Sequence, residues 1–105
     1  MTAADELRAA AEKLRALSLA AEADVAANPY WRSDLTARPD WYANGVRNGL
    51  GGESGELAAA MHPGVGTALA DWLDTAGANA DALTWPNQFV ESALAVARAI
   101  LGSQS

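Results

Sequence analysis

His62 is the only histidine in this chain of 105 residues, and histidine is the side chain that most readily exchanges a proton near neutral pH. Beside a helix N-terminus it could act as an acid or base, with a nearby carboxylate such as Glu56. The alternative is that its ring caps the helix or bonds a backbone group at a hinge. The chain offers no second histidine and no cysteine, so a His/Cys zinc site within one chain is excluded. We therefore predict a protein that is not an enzyme, with no catalytic residue, no metal and no cofactor.

Aromatic and arginine side chains are concentrated in residues 29–53, where helical periodicity is lost and Pro and Gly recur. These residue types are enriched at the positions that contribute most to protein binding. The candidate binding residues are Trp31, Arg32, Trp41, Tyr42 and Arg47. The alternative is that the aromatic rings fold back and fill the space between helices.

Two short aromatic stretches in this segment, at 30–32 and 41–42, could form the strands of a small β-hairpin. The Asn-Gly pairs at Asn44-Gly45 and Asn48-Gly49 are typical of tight turns, because both residue types tolerate left-handed backbone geometry. The segment 29–53 is therefore predicted to be irregular or to contain a short hairpin.

The first helix is predicted over residues 3–27, where Leu and Ala recur at three- and four-residue spacing on one face. Thr2 and Asp5 resemble a capping box at its start, with Asp in place of the usual Glu. Ion pairs within the helix are expected on its solvent side, at Arg8–Glu12 and Glu12–Arg15.

Pro63 predicts a helix boundary, since the residue before a proline is disfavoured in the helical region and proline suits a first helical position. A short helix is therefore predicted over 55–61 and a longer one over 63–76, with Gly77 as its stop. The alternative is one helix kinked at the proline. The longer helix carries an apolar stripe formed by Val65, Leu69, Trp72, Leu73 and Ala76. We expect Trp72 to be mostly buried.

The last helix, predicted over 86–101, is apolar around much of its circumference. Its large apolar residues are Phe89, Val90, Leu94, Val96, Ile100 and Leu101. Such surplus apolar surface favours a homodimer through this helix, because two-fold dimers are the commonest soluble oligomers. The alternative is a monomer in which the aromatic residues of the middle segment cover it.

Length and charge limit the class of protein further. A chain of this size fits a single domain over 1–105, mainly α, built as a small bundle of three to four helices. The net charge of −6 without a basic patch argues against binding to nucleic acid. The charged N-terminus is unlike a signal peptide, and no apolar run could span a membrane. The absence of cysteine fits a cytoplasmic protein.

Two stretches, GGESGELAAAMHPGVGTALADWLD and ALAVARAILG, resemble a group of small uncharacterised proteins of actinobacteria and their bacteriophages. The matching residues are Glu56–Met61, His62-Pro63, Ala68–Leu73 and Ala93–Leu101, about half of the chain. Many of these proteins carry a GPW element after the first helix, where this chain has Asn28-Pro29-Tyr30-Trp31. The resemblance implies a helical architecture and a phage or actinobacterial origin, but it implies no site.

The acidic charge, the lack of a catalytic set and the Trp-rich segment together favour one function class. We expect a non-enzymatic protein-interaction module, phage-encoded and acting on a host or phage protein. The alternative is a protein that binds or sequesters a small ligand through the aromatic loop 30–47.

Overall fold

The computed structural model describes residues 1–102 and is mainly helical. It contains five α-helices, α1 (Ala3–Ala27), α2 (Trp41–Leu50), α3 (Gly52–Ala60), α4 (Pro63–Asp81) and α5 (Asn87–Leu101), and 3-10 turns at Pro29–Trp31 and Arg38–Asp40. The mainly α prediction is confirmed. The predicted count of three to four helices is wrong, because α2 occupies part of the segment at 29–53. The hairpin is also wrong, since no strand occurs within residues 1–102.

Contacts along the chain define two compact units. Unit 1 consists of Met1–Leu17 and Thr67–Ser105, and unit 2 of Ser18–Gly66. Helices α1 and α4 each contribute residues to both. The single domain over 1–105 stays a prediction.

Unit 1 has a core of leucine and alanine contributed by α1, α4 and α5. The core residues are Leu7, Ala10, Ala11, Ala70, Leu73, Ala76, Ala93, Leu94 and Ala97. They recur at three- and four-residue spacing on each helix, as expected for helices that bury one face. Because most of them are small, the helix backbones can approach each other closely.

At Gly77, α1 lies close to α4. A Cβ atom on Gly77 would lie 3.2 Å from Cγ of Arg8 and 3.5 Å from the carbonyl oxygen of Ala4. The predicted stop at this glycine is therefore wrong, since the residue makes room for a neighbouring helix inside α4. The helix instead ends at Asp81. Leu83 then adopts a left-handed conformation with φ 58°.

Trp72 is 38% exposed, whereas its neighbour Leu73 is fully buried. The prediction of a mostly buried Trp72 is therefore wrong. One residue turns an α-helix by about 100°, and small residues at Ala70 and Ala76 complete the buried face instead. The tryptophan lies at the edge of this face.

Ion pairs in unit 1 link different helices. Arg15 donates to Asp71 at 2.9 Å and to Asp74 at 2.7 Å, and these hydrogen bonds raise the pKa of its guanidinium above its usual value. Arg8 lies 3.6 Å from Asp81. The arginines of α1 thus pair with α4, and the predicted pairs with Glu12 do not form in the part of the chain that the structure describes.

The first turn of α1 is held by a reciprocal pair of hydrogen bonds. The backbone N–H of Asp5 donates to Oγ1 of Thr2 at 3.1 Å, and the N–H of Thr2 donates to the Asp5 carboxylate at 3.1 Å. Both hydrogen bonds lower the pKa of Asp5. The bond from the Thr2 backbone has the larger effect, and the bond with the Thr2 hydroxyl has the smaller one. The predicted capping box is confirmed.

Helix α5 uses most of its apolar residues inside unit 1. Leu94 is only 8% exposed, and Val90, Val96, Ile100 and Leu101 pack against the core. Phe89 is the exception at 51% exposure, with its ring edge-on to Trp85 at 6.5 Å. The surplus apolar surface of this helix is therefore smaller than the sequence predicts.

Among the helices of residues 1–102, none combines the length and the apolar character that a membrane crossing requires.

Candidate functional site

Helix α2 presents two glycines, one turn apart, to the aromatic residues of the turn at Pro29–Trp31. A Cβ atom on Gly45 would overlap the Trp31 ring, and one on Gly49 would lie 2.8 Å from the Tyr30 hydroxyl. The Tyr30 hydroxyl also donates to the carbonyl oxygen of Gly45 at 3.0 Å. The Asn-Gly pairs therefore form part of a helix, because their glycines leave space for these rings.

Trp31 and Tyr42 are brought together as a stacked pair. Their ring centroids are 5.5 Å apart with 16° between the planes, and Tyr30 lies edge-on to Trp31 at 5.0 Å. The indole N–H of Trp31 donates to the Asp24 carboxylate on α1 at 2.8 Å. Trp31 is half-buried, so it contributes mainly to the packing of unit 2.

Trp41 closes the loop that precedes α2. Its indole N–H donates to the carbonyl oxygens of Thr36 at 3.0 Å and Ser33 at 3.3 Å. The Arg38 guanidinium lies 5.9 Å from the centre of its ring, within the range of a cation–π contact. The polar atom of Trp41 is thus used to order its own loop.

The two predicted binding arginines lie at the surface. Arg47 donates to the Glu56 carboxylate on α3 at 3.2 Å, which links α2 to α3. The Arg32 side chain makes no hydrogen bond or ion pair within residues 1–102. Of the five candidate residues, only Trp31 and Tyr42 form a common cluster.

His62 caps helix α4 through its ring. The backbone N–H of Gly64 donates to Nδ1 at 3.1 Å, and the His62 carbonyl oxygen accepts from the N–H groups of Val65 and Gly66. The predicted cap is therefore confirmed. Since Nδ1 accepts a hydrogen bond, the neutral ring carries its proton on Nε2.

A pocket of about 540 Å³ lies within unit 2, between the end of α1, the start of α2 and the cap of α4. Its polar lining residues are Glu22, Arg38, Asp40, Tyr42 and His62. Tyr42 is the one candidate binding residue among them. Sequence reasoning missed Glu22 because it lies within the predicted first helix, where a single acidic residue carries no signal of a pocket.

The charged groups of this pocket are not paired with each other. In the described part of the chain, no salt bridge and no hydrogen bond involves the charged side-chain groups of Glu22, Arg38 or Asp40. The hydroxyl of Tyr42 and Nε2 of His62 likewise have no hydrogen-bond partner within residues 1–102. The pocket therefore offers both donors and acceptors to a ligand.

No group of three or more His, Asp or Glu residues within 1–102 is placed to hold a metal ion.

Helix α3 and the residue that follows it carry a second feature, an exposed apolar surface that we call the α3 face and define as Leu57, Ala60 and the C-cap residue Met61. Leu57 is 66% exposed and Met61 is 53% exposed. The buried positions of the same helix are Gly55 and Ala59, with Gly55 close to the backbone of α2. The small residues thus pack inward, and the large apolar ones face solvent.

No family model, curated protein or solved structure matches this chain. The resemblance to proteins of actinobacteria and their phages stays a prediction.

Proposed function

We propose that this chain is a non-enzymatic protein-interaction module, phage-encoded, that binds a host or phage protein through the α3 face. The observation that carries the proposal is the inverted pattern of α3. A helix at a protein surface normally buries its large apolar residues and exposes polar ones. Here Leu57 and Met61 lie one turn apart in solvent, while glycine and alanine are buried. A partner would bury this surface.

The charge around the α3 face indicates what kind of partner fits. Glu53 lies on the same helix without an ion pair in the described residues, Glu56 is paired with Arg47, and the chain carries a net charge of −6. A partner with an apolar groove and basic residues at its rim would complement both features, because opposite charges at an interface rim steer association. This charge also favours a protein partner over a nucleic acid.

Affinity capture from host lysate, read out by mass spectrometry, tests the proposal when three proteins are compared. These are the unaltered chain, Leu57→Glu and Leu83→Glu. Leu83 is 89% exposed in unit 1, so its variant adds the same charge away from the α3 face. We expect the proteins retained by the unaltered chain to be retained by Leu83→Glu and lost with Leu57→Glu. Equal retention by both variants, with helix content unchanged, would contradict the proposal.

Small-ligand binding is the second candidate function, and the pocket of unit 2 is the observation that favours it. The aromatic loop 30–47 contributes Arg38, Asp40 and Tyr42 to the lining. Trp31 and Trp41 contribute to the packing beside it, and their indole N–H groups are already bonded. A ligand would therefore contact the second half of the loop.

A homodimer through α5 remains a further proposal, now supported mainly by Phe89. Sedimentation velocity across micromolar concentrations tests it. Phe89→Glu is the variant, because Leu94 is buried in the core and a charge there would destabilise unit 1. A dimer that Phe89→Glu dissociates would support the interface. Monomer mass at every concentration would exclude it.

A further inference from the structure

The pocket of unit 2 presents charges of both signs that the protein itself leaves unpaired. From this we infer that the pocket binds a zwitterionic small molecule with an apolar body, of the class of a free α-amino acid or dipeptide. The inference rests on the second candidate function, small-ligand binding, and names its ligand class.

The donors of the lining suit a carboxylate. The Arg38 guanidinium has no carboxylate partner within residues 1–102, and its contact with the Trp41 ring leaves its N–H groups able to donate. His62, which caps α4, contributes a further donor. Its Nδ1 accepts a hydrogen bond from the Gly64 N–H, so the neutral ring carries its proton on Nε2. Charge-assisted hydrogen bonds of this kind are stronger than neutral ones.

Acceptors in the same pocket suit an ammonium group. The carboxylates of Glu22 and Asp40 both line it, and neither forms an ion pair with Arg38 or with another cation in the described residues. A purely anionic ligand would leave both carboxylates without a cation and add a like charge beside them. A purely cationic ligand would leave Arg38 without an anion and add a like charge beside it. A zwitterion offers each group an opposite charge.

The remaining lining suits an apolar body. It consists of Val25, Ala26, Pro39, Ala43, Pro63 and Gly64, together with the Tyr42 ring. Ligand pockets are typically apolar with a few polar groups that fix orientation, and a volume of about 540 Å³ lies within their usual range. The mixture of apolar walls and separate charges therefore fits an amino acid with a large apolar side chain.

Three probes with the same phenyl group separate the contributions of the ligand's carboxylate and ammonium groups to binding. L-phenylalanine carries both charges, phenethylamine only the ammonium, and 3-phenylpropionate only the carboxylate. Titration of the full chain, followed by NMR of its backbone amides, gives a dissociation constant for each. The amide of Gly64 is a local reporter, since its N–H bonds to the His62 ring at the pocket.

We expect phenylalanine to bind about tenfold more tightly than either single-charge probe, as for one added charge-assisted hydrogen bond. Arg38→Met should weaken phenylalanine and 3-phenylpropionate several-fold and leave phenethylamine unchanged. Glu22→Gln should weaken phenylalanine and phenethylamine and leave 3-phenylpropionate unchanged. Arg32→Met is the matched control, because Arg32 is exposed in the same segment and does not line the pocket.

The possible outcomes test the ligand class and the assignment to this pocket separately. Equal affinities for all three probes would overturn the zwitterion and retain a small-ligand pocket. A reduction by Arg32→Met as large as that by Arg38→Met would overturn the assignment to this pocket. No shift with any probe up to its solubility limit would overturn both the inference and the second candidate function.

Discussion

In unit 1 the buried side chains are leucine and alanine on three helices, whereas in unit 2 the buried residues are only Ser18, Gly45, Gly55 and Ala59. Unit 2 instead relies on half-buried aromatic rings, glycines that admit them, and side-chain hydrogen bonds to the backbone. The two units therefore differ in the source of their stability. Burial of apolar area dominates in unit 1, and individually placed contacts dominate in unit 2.

Truncation of Leu73 should have the largest effect, because this side chain is fully buried in the core of unit 1. We expect Leu73→Ala to lower the free energy of unfolding by about 2–5 kcal/mol, as for other buried leucines. Chemical denaturation followed by circular dichroism measures it. Leu57→Ala is the control in unit 2, where 66% exposure predicts a change within about 0.5 kcal/mol. Similar losses for the two variants would contradict the contrast between the units.

Substitution of Gly45 tests the aromatic packing of unit 2. A Cβ atom there would overlap the Trp31 ring, and this ring cannot move freely because it stacks on Tyr42 and donates a hydrogen bond to Asp24. We expect Gly45→Ala to cost about 1–2 kcal/mol net, although alanine alone favours a helix by about 1 kcal/mol over glycine.

Gly49→Ala is the matched control for Gly45→Ala, since it lies one turn along the same helix. Its Cβ would meet only the Tyr30 hydroxyl, the end of a side chain that is 59% exposed. Thermal unfolding should therefore show a neutral or stabilising effect for Gly49→Ala. If both alanine variants stabilise the protein, the contact between Trp31 and α2 is not the one described.

The contrast between the units also determines how much of the fold could be predicted. Helix α1 and the core faces of α4 and α5 follow from the spacing of Leu and Ala, which is a direct signal of a buried helix face. Helix α2 could not be predicted in this way. Its glycines, considered alone, favour turns. They are explained only by the side chains of Trp31, which lies against Gly45, and of Tyr30, which lies against Gly49.

His62→Ala should have a smaller effect, since it removes one cap. Loss of the bond from Gly64 should cost about 1 kcal/mol. His62→Asn is the control, because asparagine is a good cap and should recover most of the loss. Equal destabilisation by both variants in thermal unfolding would show that the ring contributes through packing and not through Nδ1.

The smallest expected effect is on the stability of unit 1 at acidic pH, through Asp5. Hydrogen bonds from Thr2 lower the pKa of Asp5 below 3.8 in the folded chain, so its contribution is present above that pH. It is lost as the pH falls through the lower, folded value. We expect Asp5→Asn to reduce the pH dependence of unfolding in this acidic range. Acid titration at fixed denaturant measures it, and identical curves for both proteins would contradict the capping role.

The candidate site was less predictable than the core for a related reason. The sequence identifies a segment rich in aromatic residues, but the bonds of Trp31 and Trp41 depend on Asp24 and on the carbonyl groups of the loop. The role of Tyr42 beside the pocket depends on α1 and on the cap of α4. The bonds of the two tryptophans follow no helical or strand spacing, and the pocket joins residues from three separate parts of the chain. Neither kind of contact leaves a periodic pattern in the sequence that would predict a site.

Hydrogen exchange of the backbone amides tests most directly the claim that the two units are stabilised differently. We expect the central amides of α2 to exchange through local opening, faster than those of α5, because unit 2 buries little apolar area. Gly45→Ala should accelerate exchange in α2 more than in α5. Equal protection of α2 and α5 in the unaltered chain, with equal acceleration in the variant, would contradict this account.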